Sequence, residues 1–96
     1  MSGKSDKPLY DVLWQVVLTN AHQPTGNTVH YYGNEKLGTP TQLQIAHFPG
    51  DEGFLLLYLD DNGQEMTDTY HSDVSSAMEQ ANFEFLIDKS DWKKIG

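Results

Sequence analysis

The fold is decided by the stretch FLLLYLDDNGQEMTDTYHSDVSSAMEQANFEF, residues 54–85. It begins with two segments of strand length, residues 54–60 and 64–71, the first of which opens with a continuous apolar run, residues 54–59. Asn62 and Gly63 lie between them, and both residues tolerate the left-handed backbone angles of a type I′ turn. The stretch therefore predicts a β-hairpin closed by a two-residue turn.

A two-residue turn also fixes the register of this hairpin, because a slip of one residue would turn every side chain to the other face. The predicted cross-strand pairs are Leu59–Met66, Leu57–Asp68 and Leu55–Tyr70. The face carrying these side chains is apolar apart from Asp68, so we predict that it is the core face. A carboxylate in such a core is costly unless it is paired or hydrogen-bonded, which makes Asp68 the unusual residue of the hairpin.

A helix is predicted directly after the hairpin. Apolar residues at helical spacing form one face: Val74, Ala77, Met78, Ala81 and Phe85. Asp73 or Ser72 is the expected N-cap, and the helix is expected to fray near Leu86. Asp68, His71 and Asp73 then lie at the joint between strand and helix. We predict a structural role for them, with Asp68 accepting backbone N–H groups near the joint.

The rest of the chain adds three predicted strands, residues 9–20, 28–32 and 41–48, separated by segments rich in Pro and Gly. In the first strand the better core face carries Val12, Trp14, Val16 and Leu18. The predicted class is α+β, an antiparallel sheet of about five strands (β-β-β-β-β-α) with one C-terminal helix packed on one face. Residues 1–8 are predicted to be a disordered tail and residues 9–96 a single domain, with Trp92 and Ile95 packed back against it.

Composition excludes several classes of protein. The chain has 96 residues, a net charge of −8, six lysines and no arginine, which opposes binding to nucleic acid. It has no cysteine, which excludes disulfides and thiolate catalysis. No apolar run approaches the ~20 residues that span a membrane, and no secretory signal is visible. We therefore predict a cytoplasmic protein that binds neither membranes nor nucleic acid.

Catalytic motifs are missing from the sequence. It contains no HExxH, no GxSxG and no glycine-rich phosphate loop. Four histidines are scattered along the chain and are predicted to be surface or edge residues: His22, His30, His47 and His71. We predict no catalytic residue, no metal site and no cofactor. One alternative stays open, a small ligand bound by Asp68 and His71.

Acidic residues dominate the middle of the chain. Nine carboxylates and no lysine lie between residues 37 and 87. Such a field attracts a basic partner and speeds its encounter. Tyr31 and Tyr32 are adjacent in a predicted strand, so one ring is expected to face away from the core, where Tyr often anchors interfaces. The predicted binding residues are Tyr31, Tyr32, Asp60, Asp61 and Glu65, and the predicted partner is another protein, with a basic surface.

Residues 55–92 carry the pattern D-T-x-H … A-x-x-Q-A-x-x-E-F-x-I … W. The matching positions are Asp68, Thr69, His71, Ala77, Gln80, Ala81, Glu84, Phe85, Ile87 and Trp92. In this half the chain resembles a group of small, largely uncharacterised bacterial proteins, which in size and acidity are similar to the immunity proteins that neutralise secreted bacterial toxins. Leu86 stands where that group frequently has glycine. The resemblance implies an inhibitor that covers the active site of a basic toxin; a regulatory adaptor with another partner is the alternative.

Overall fold

An antiparallel sheet with one helix against it forms the body of the protein in the computed structural model, which describes residues 10–19, 22, 25, 31–32, 35–36 and 38–95. The elements are β1 (Asp11–Val17), β2 (Tyr31–Tyr32), β3 (Glu35–Lys36), β4 (Gln42–His47), β5 (Phe54–Leu59), β6 (Glu65–His71), α1 (Val74–Phe85), a 3-10 helix (Lys89–Asp91) and β7 (Lys93–Lys94). The predicted tail, residues 1–8, lies outside the described residues.

The predicted α+β class is confirmed: five strands form one antiparallel sheet in the order β6-β5-β4-β1-β7, and α1 packs on it. The fifth strand comes from a different segment than expected. Tyr31–Tyr32 pairs with Glu35–Lys36 in a separate two-stranded ribbon, while β7, after the helix, joins the edge of β1. Polar, two-residue β7 carries no strand pattern, so its position follows from the chain returning to the sheet after α1.

The turn between β5 and β6 differs from the predicted type I′ turn. Gly63 has a φ of 77°, but Asn62 is not left-handed, and a type I′ turn needs both. Instead the Gly63 N–H donates to the Asp60 carbonyl and the Asp60 N–H donates to the Gln64 carbonyl, which makes a longer loop. The Asp60 carboxylate holds this loop by accepting the N–H groups of Asn62 and Gln64, each at 2.9 Å.

The longer loop changes the register only next to the turn. Leu59 pairs with Glu65 instead of Met66, and Met66 is the extra residue of a β-bulge. Beyond the bulge the predicted pairs Leu57–Asp68 and Leu55–Tyr70 are both confirmed.

The main core lies between α1 and the sheet, and it uses the face of β5 opposite to the predicted one. Its buried members are Val16, Leu43, Ile45, Leu56, Tyr58, Ala77, Met78, Ala81, Phe85, Ile87 and Trp92. Because both faces of FLLLYL are apolar, the sequence alternation of β5 does not distinguish them. Leu57 and Leu59 instead pack with Ala46 on the other face of the sheet, together with the half-buried Tyr10 and Leu55. We call this second surface the second face.

The predictions for β1 and the C-terminal segment are partly confirmed. Trp14, Val16 and Leu18 belong to the main core. Val12 does not, because a bulge at Leu13 places Val12 opposite Ala46 and Trp14 opposite Ile45, two neighbours on opposite faces of β4. Trp92 is buried, as predicted. The Ile95 side chain is 48% exposed, so its predicted packing is wrong; only its backbone N–H reaches back, to the Leu13 carbonyl.

Helix α1 begins at a favourable N-cap and ends at a residue with an unfavourable backbone conformation. At the start, the Asp73 carboxylate accepts the Ser76 N–H at 2.7 Å, the expected N-cap. At the end, Leu86 adopts φ 60° and ψ 38°, the left-handed conformation that favours glycine. Its N–H donates to the Asn82 carbonyl, and the next residue, Ile87, is fully buried. The helix thus stops at a residue whose backbone is strained.

Candidate functional site

Exposed and half-buried carboxylates line one edge of the sheet, on β6 and in the turns at both ends of β5. We call this surface the acidic edge; it consists of Asp51, Glu52, Asp60, Asp61, Glu65 and Asp68. Lys93 and Lys94 form β7, at the opposite edge of the same sheet. No lysine lies between residues 37 and 88. The fold therefore places the acidic, lysine-free part of the sequence at one edge of the sheet and Lys93 and Lys94 at the other.

Two carboxyl groups of the acidic edge lie against each other on β6. A hydrogen bond with Asp68, helped by partial burial and by the Asp68 charge, raises the pKa of Glu65 to about 7. Two like charges cannot both ionise freely at short range, so the pair holds a proton near neutral pH. A cation placed between them would release that proton.

Tyr10 lies beside this carboxyl pair. Its ring packs on the buried cluster of the second face and meets Phe48 edge-on, with ring centroids 5.6 Å apart. Burial raises the pKa of the Tyr10 hydroxyl, and the charges of Glu65 and Asp68 raise it further. An aromatic ring beside acidic groups provides both apolar area and a hydroxyl at a protein interface.

The turn before β5 adds a second acidic contact. The Tyr70 hydroxyl donates to the Asp51 carboxylate at 2.9 Å, and the Gly53 N–H donates to the same carboxylate oxygen. These hydrogen bonds hold the pKa of Asp51 below its usual value, so this carboxylate is charged at neutral pH. The Tyr70 ring runs so close to Gly53 that a Cβ there would lie 2.0 Å from the hydroxyl oxygen. Tyr70 nevertheless stays 60% exposed.

The structure brings together some of the predicted binding residues. Glu65 lies on β6, whereas Asp60 and Asp61 lie in the turn that leads to it. Asp60 is partly used by its own turn, and Glu65 is hydrogen-bonded to Asp68. Tyr31 and Tyr32 belong to the separate ribbon, and their side chains lie outside the described part of the chain.

The strand–helix joint is formed by His71 and Asp73 without Asp68. The two ring nitrogens of His71 contact hydroxyl groups, Nε2 at 2.7 Å from Thr69 Oγ1 and Nδ1 at 3.1 Å from Ser76 Oγ. Burial lowers the pKa of His71, which favours the neutral ring, and the two hydroxyl groups can donate to or accept from its nitrogens. Asp68 lies on the second face and is exposed, so the predicted buried carboxylate, with its reach towards the joint, is wrong.

Asp68 and His71 point to opposite faces of β6, since they lie three positions apart and side chains alternate along a strand. The His71 ring is also fully occupied at the joint. This arrangement speaks against the alternative in which both side chains hold one ligand.

The buried carboxylate of the described chain is Glu84, which is 3% exposed. Its Oε2 accepts the Tyr58 hydroxyl at 2.5 Å and the Gln80 amide at 2.6 Å. Burial and this contact raise the pKa of Tyr58, so the phenol stays protonated as a donor. In the sequence, Gln80 and Glu84 belong to the A-x-x-Q-A-x-x-E-F-x-I pattern, and neither residue is predicted to be in the core. The available signal was that Glu84 lies seven residues after Ala77 and three after Ala81, on the buried face of α1.

His22 links two segments of the chain through its ring nitrogens, and we call this arrangement the His22 clamp. Its side chain is only 8% exposed, against the prediction for the histidines. Nδ1 accepts the Thr19 N–H at 3.0 Å, and Nε2 lies 3.0 Å from Asp91 Oδ2. This tautomer uses both nitrogens to join the turn after β1 to the 3-10 helix. The His22 contact also lowers the pKa of Asp91.

Within the described ranges, no three His, Asp or Glu side chains are arranged to hold a metal ion. Of the helices described, none is long and apolar enough to cross a membrane. In comparisons with protein-family models, with curated proteins and with solved structures, no match is found.

Proposed function

We propose that this chain is a non-enzymatic, cytoplasmic protein-binding domain whose acidic edge covers a basic surface of another protein. The observation that carries the proposal is the concentration of six carboxylates, with no lysine among them, at the β5–β6 edge, whereas at the β7 edge Lys93 and Lys94 are accompanied by Asp88 and Asp91. A one-sided field orients an approaching basic partner towards one surface.

The shape of the acidic edge supports the same reading. β6 is the last strand of the sheet, and within the described residues no strand pairs with its outer side. A seven-residue edge strand offers main-chain groups to a partner as well as side chains. The Tyr10 and Tyr70 rings flank its carboxylates.

The Glu65–Asp68 pair favours the binding of a cationic group at this surface. Free, the pair keeps a proton near neutral pH; a lysine or arginine of the partner replaces that proton and stabilises both carboxylates. An inhibitor of a basic bacterial toxin would use this chemistry to cover the active site. A regulatory adaptor would use the same surface without silencing an enzyme.

The experiment is affinity capture from a bacterial lysate at low and moderate salt, with captured proteins identified by mass spectrometry. The baits are the wild type, an acidic-edge variant (Asp61→Asn, Glu65→Gln, Asp68→Asn) and a control variant (Lys93→Gln, Lys94→Gln). Asp60 is left intact because it holds its turn. The proposal predicts one basic partner on the wild type and the control that is lost from the acidic-edge variant. A partner held equally by all three baits contradicts it.

A further inference from the structure

A cavity of about 610 Å³ opens beside β1, at the sheet edge opposite to the acidic edge. It exists because β7 is short: it pairs with β1 only at Trp14 and Gln15. Before β7 the chain forms the 3-10 helix instead of a longer strand. Among the described residues, the outer side of β1 at Val16 and Val17 therefore faces the cavity and not a strand.

The walls of this cavity are held in place. The His22 clamp joins the turn after β1 to Asp91, and both residues line the cavity. The Asp91 carboxylate also accepts the Asp88 N–H at 3.0 Å. The width of the gap is thus fixed by hydrogen bonds, and its volume falls within the ~300–1,000 Å³ of ordinary ligand sites.

Two apolar side chains line the cavity although both are exposed. Val17 is 56% exposed and Leu86 is 55% exposed. Leu86 also has the left-handed backbone for which glycine is the unstrained choice. A leucine at this position strains the backbone and adds no buried core, so the need to end the helix does not explain why the residue is leucine. A binding surface explains it, because such a surface uses the leucine side chain.

The charged groups of the lining are unequal. Asp88 and Asp91 supply two carboxylates against one ammonium group, that of Lys93. Both nitrogens of the His22 ring already have hydrogen-bond partners, the Thr19 N–H and the Asp91 carboxylate. The ring therefore forms part of the cavity wall and does not contact a ligand through its nitrogens. The cavity therefore suits a ligand with one positive group and one apolar side chain.

We propose that this cavity binds the N-terminal residue of a peptide in extended conformation. The peptide backbone lies along the outer side of β1, its first side chain packs against Leu86 on the helix side of the sheet edge, and its α-ammonium faces Asp88 and Asp91. Strand addition to an uncovered sheet edge and capture of a chain terminus are both known modes of peptide recognition. This site is separate from the acidic edge and does not depend on it.

The test is an NMR titration of the isotope-labelled full chain with three C-amidated tripeptides: Leu-Gly-Gly, N-acetyl-Leu-Gly-Gly and Ser-Gly-Gly. The proposal predicts that Leu-Gly-Gly shifts the amide signals of His22, Leu86 and Lys93. It predicts at least about tenfold weaker binding for the other two peptides. The acetylated peptide lacks the α-ammonium charge, and the serine peptide lacks the apolar side chain. No binding of Leu-Gly-Gly at millimolar concentration, or equal binding of the three peptides, overturns it.

A pair of variants separates the site from general surface effects. Leu86→Gly removes the apolar wall while relieving backbone strain, so it is expected to be at least as stable as the wild type yet to lose about tenfold or more in affinity for Leu-Gly-Gly. Ile95→Ser is the matched control, since Ile95 is a similarly exposed apolar residue that does not line the cavity. Unchanged affinity in Leu86→Gly, or an equal loss in Ile95→Ser, overturns the assignment.

Discussion

At the residue scale, two carboxylates behave in opposite ways. Glu84 is buried beside the main core and accepts hydrogen bonds from Tyr58 and Gln80. Glu65 is exposed, and the neighbouring Asp68 raises its pKa. The sequence pointed to Asp68 as the buried acid, because hydrophobic alternation in β5 allows either face to be the core. Only the packing of α1 decides between the faces, and that is a property of the whole fold.

The Glu84 network predicts a sharp difference between two tyrosines. Tyr58→Phe leaves a buried carboxylate without its hydroxyl donor and is expected to lower the free energy of unfolding by about 2 kcal/mol. Tyr70→Phe removes the same atom from an exposed contact with Asp51 and is expected to change stability little. Urea denaturation of both variants measures this, and equal losses in the two would contradict the structural role of Glu84.

The Glu65–Asp68 pair predicts a stability change that depends on pH. The folded pKa of Glu65, about 7, is raised above its ordinary value of 4.5, so between these pH values the folded state holds the extra proton. Stability from this group is complete below pH 4.5 and is lost as the pH rises through 7. Glu65→Gln keeps a donor towards Asp68 at every pH.

We therefore expect Glu65→Gln to match the wild type at pH 5 and to exceed it by about 1 kcal/mol at pH 8, after allowance for solvent screening. Urea denaturation at both pH values gives the two differences. Asp61→Asn, in the neighbouring turn, is the control and is expected to show a smaller dependence on pH. A Glu65→Gln effect of the same size at both pH values would show that the pair does not share a proton.

At the scale of elements, the strands and helix that the sequence predicts well are those with strong local patterns. The helical face from Val74 to Phe85 and the Asp73 cap need only neighbouring residues, and both are found as predicted. The turn at Asn62-Gly63 differs from the predicted type because the Asp60 side chain, two residues earlier, stabilises a longer loop. β7 was missed because two lysines become a strand only when β1 is beside them.

The end of α1 carries a prediction for stability. Replacing Leu86 by glycine removes the strain of a left-handed leucine, and a net gain of about 0.5–1 kcal/mol in the free energy of unfolding is expected. Thermal denaturation of Leu86→Gly beside Leu86→Ala makes the comparison, since alanine shortens the side chain but keeps the strain. A loss of stability in the glycine variant would mean that the exposed side chain contributes to the fold after all.

At the scale of the whole molecule, the distribution of charge is the feature that points to function. The sequence predicted an acidic middle and lysines outside it, but the distance between them depends on strand order, which no local pattern encodes. In the order β6-β5-β4-β1-β7 the acidic strand and the lysine strand occupy opposite edges. The cavity beside β1 could not be predicted at all, since it arises where β7 stops.

The most direct test of the account is the dissociation constant of the captured partner, measured by isothermal titration calorimetry. The acidic-edge variant Asp61→Asn/Glu65→Gln/Asp68→Asn is expected to bind at least about tenfold more weakly than the wild type. The variant Lys93→Gln/Lys94→Gln is expected to bind as the wild type does. Equal affinity of the wild type and the acidic-edge variant, or a loss confined to the lysine variant, would contradict the assignment of binding to the acidic edge.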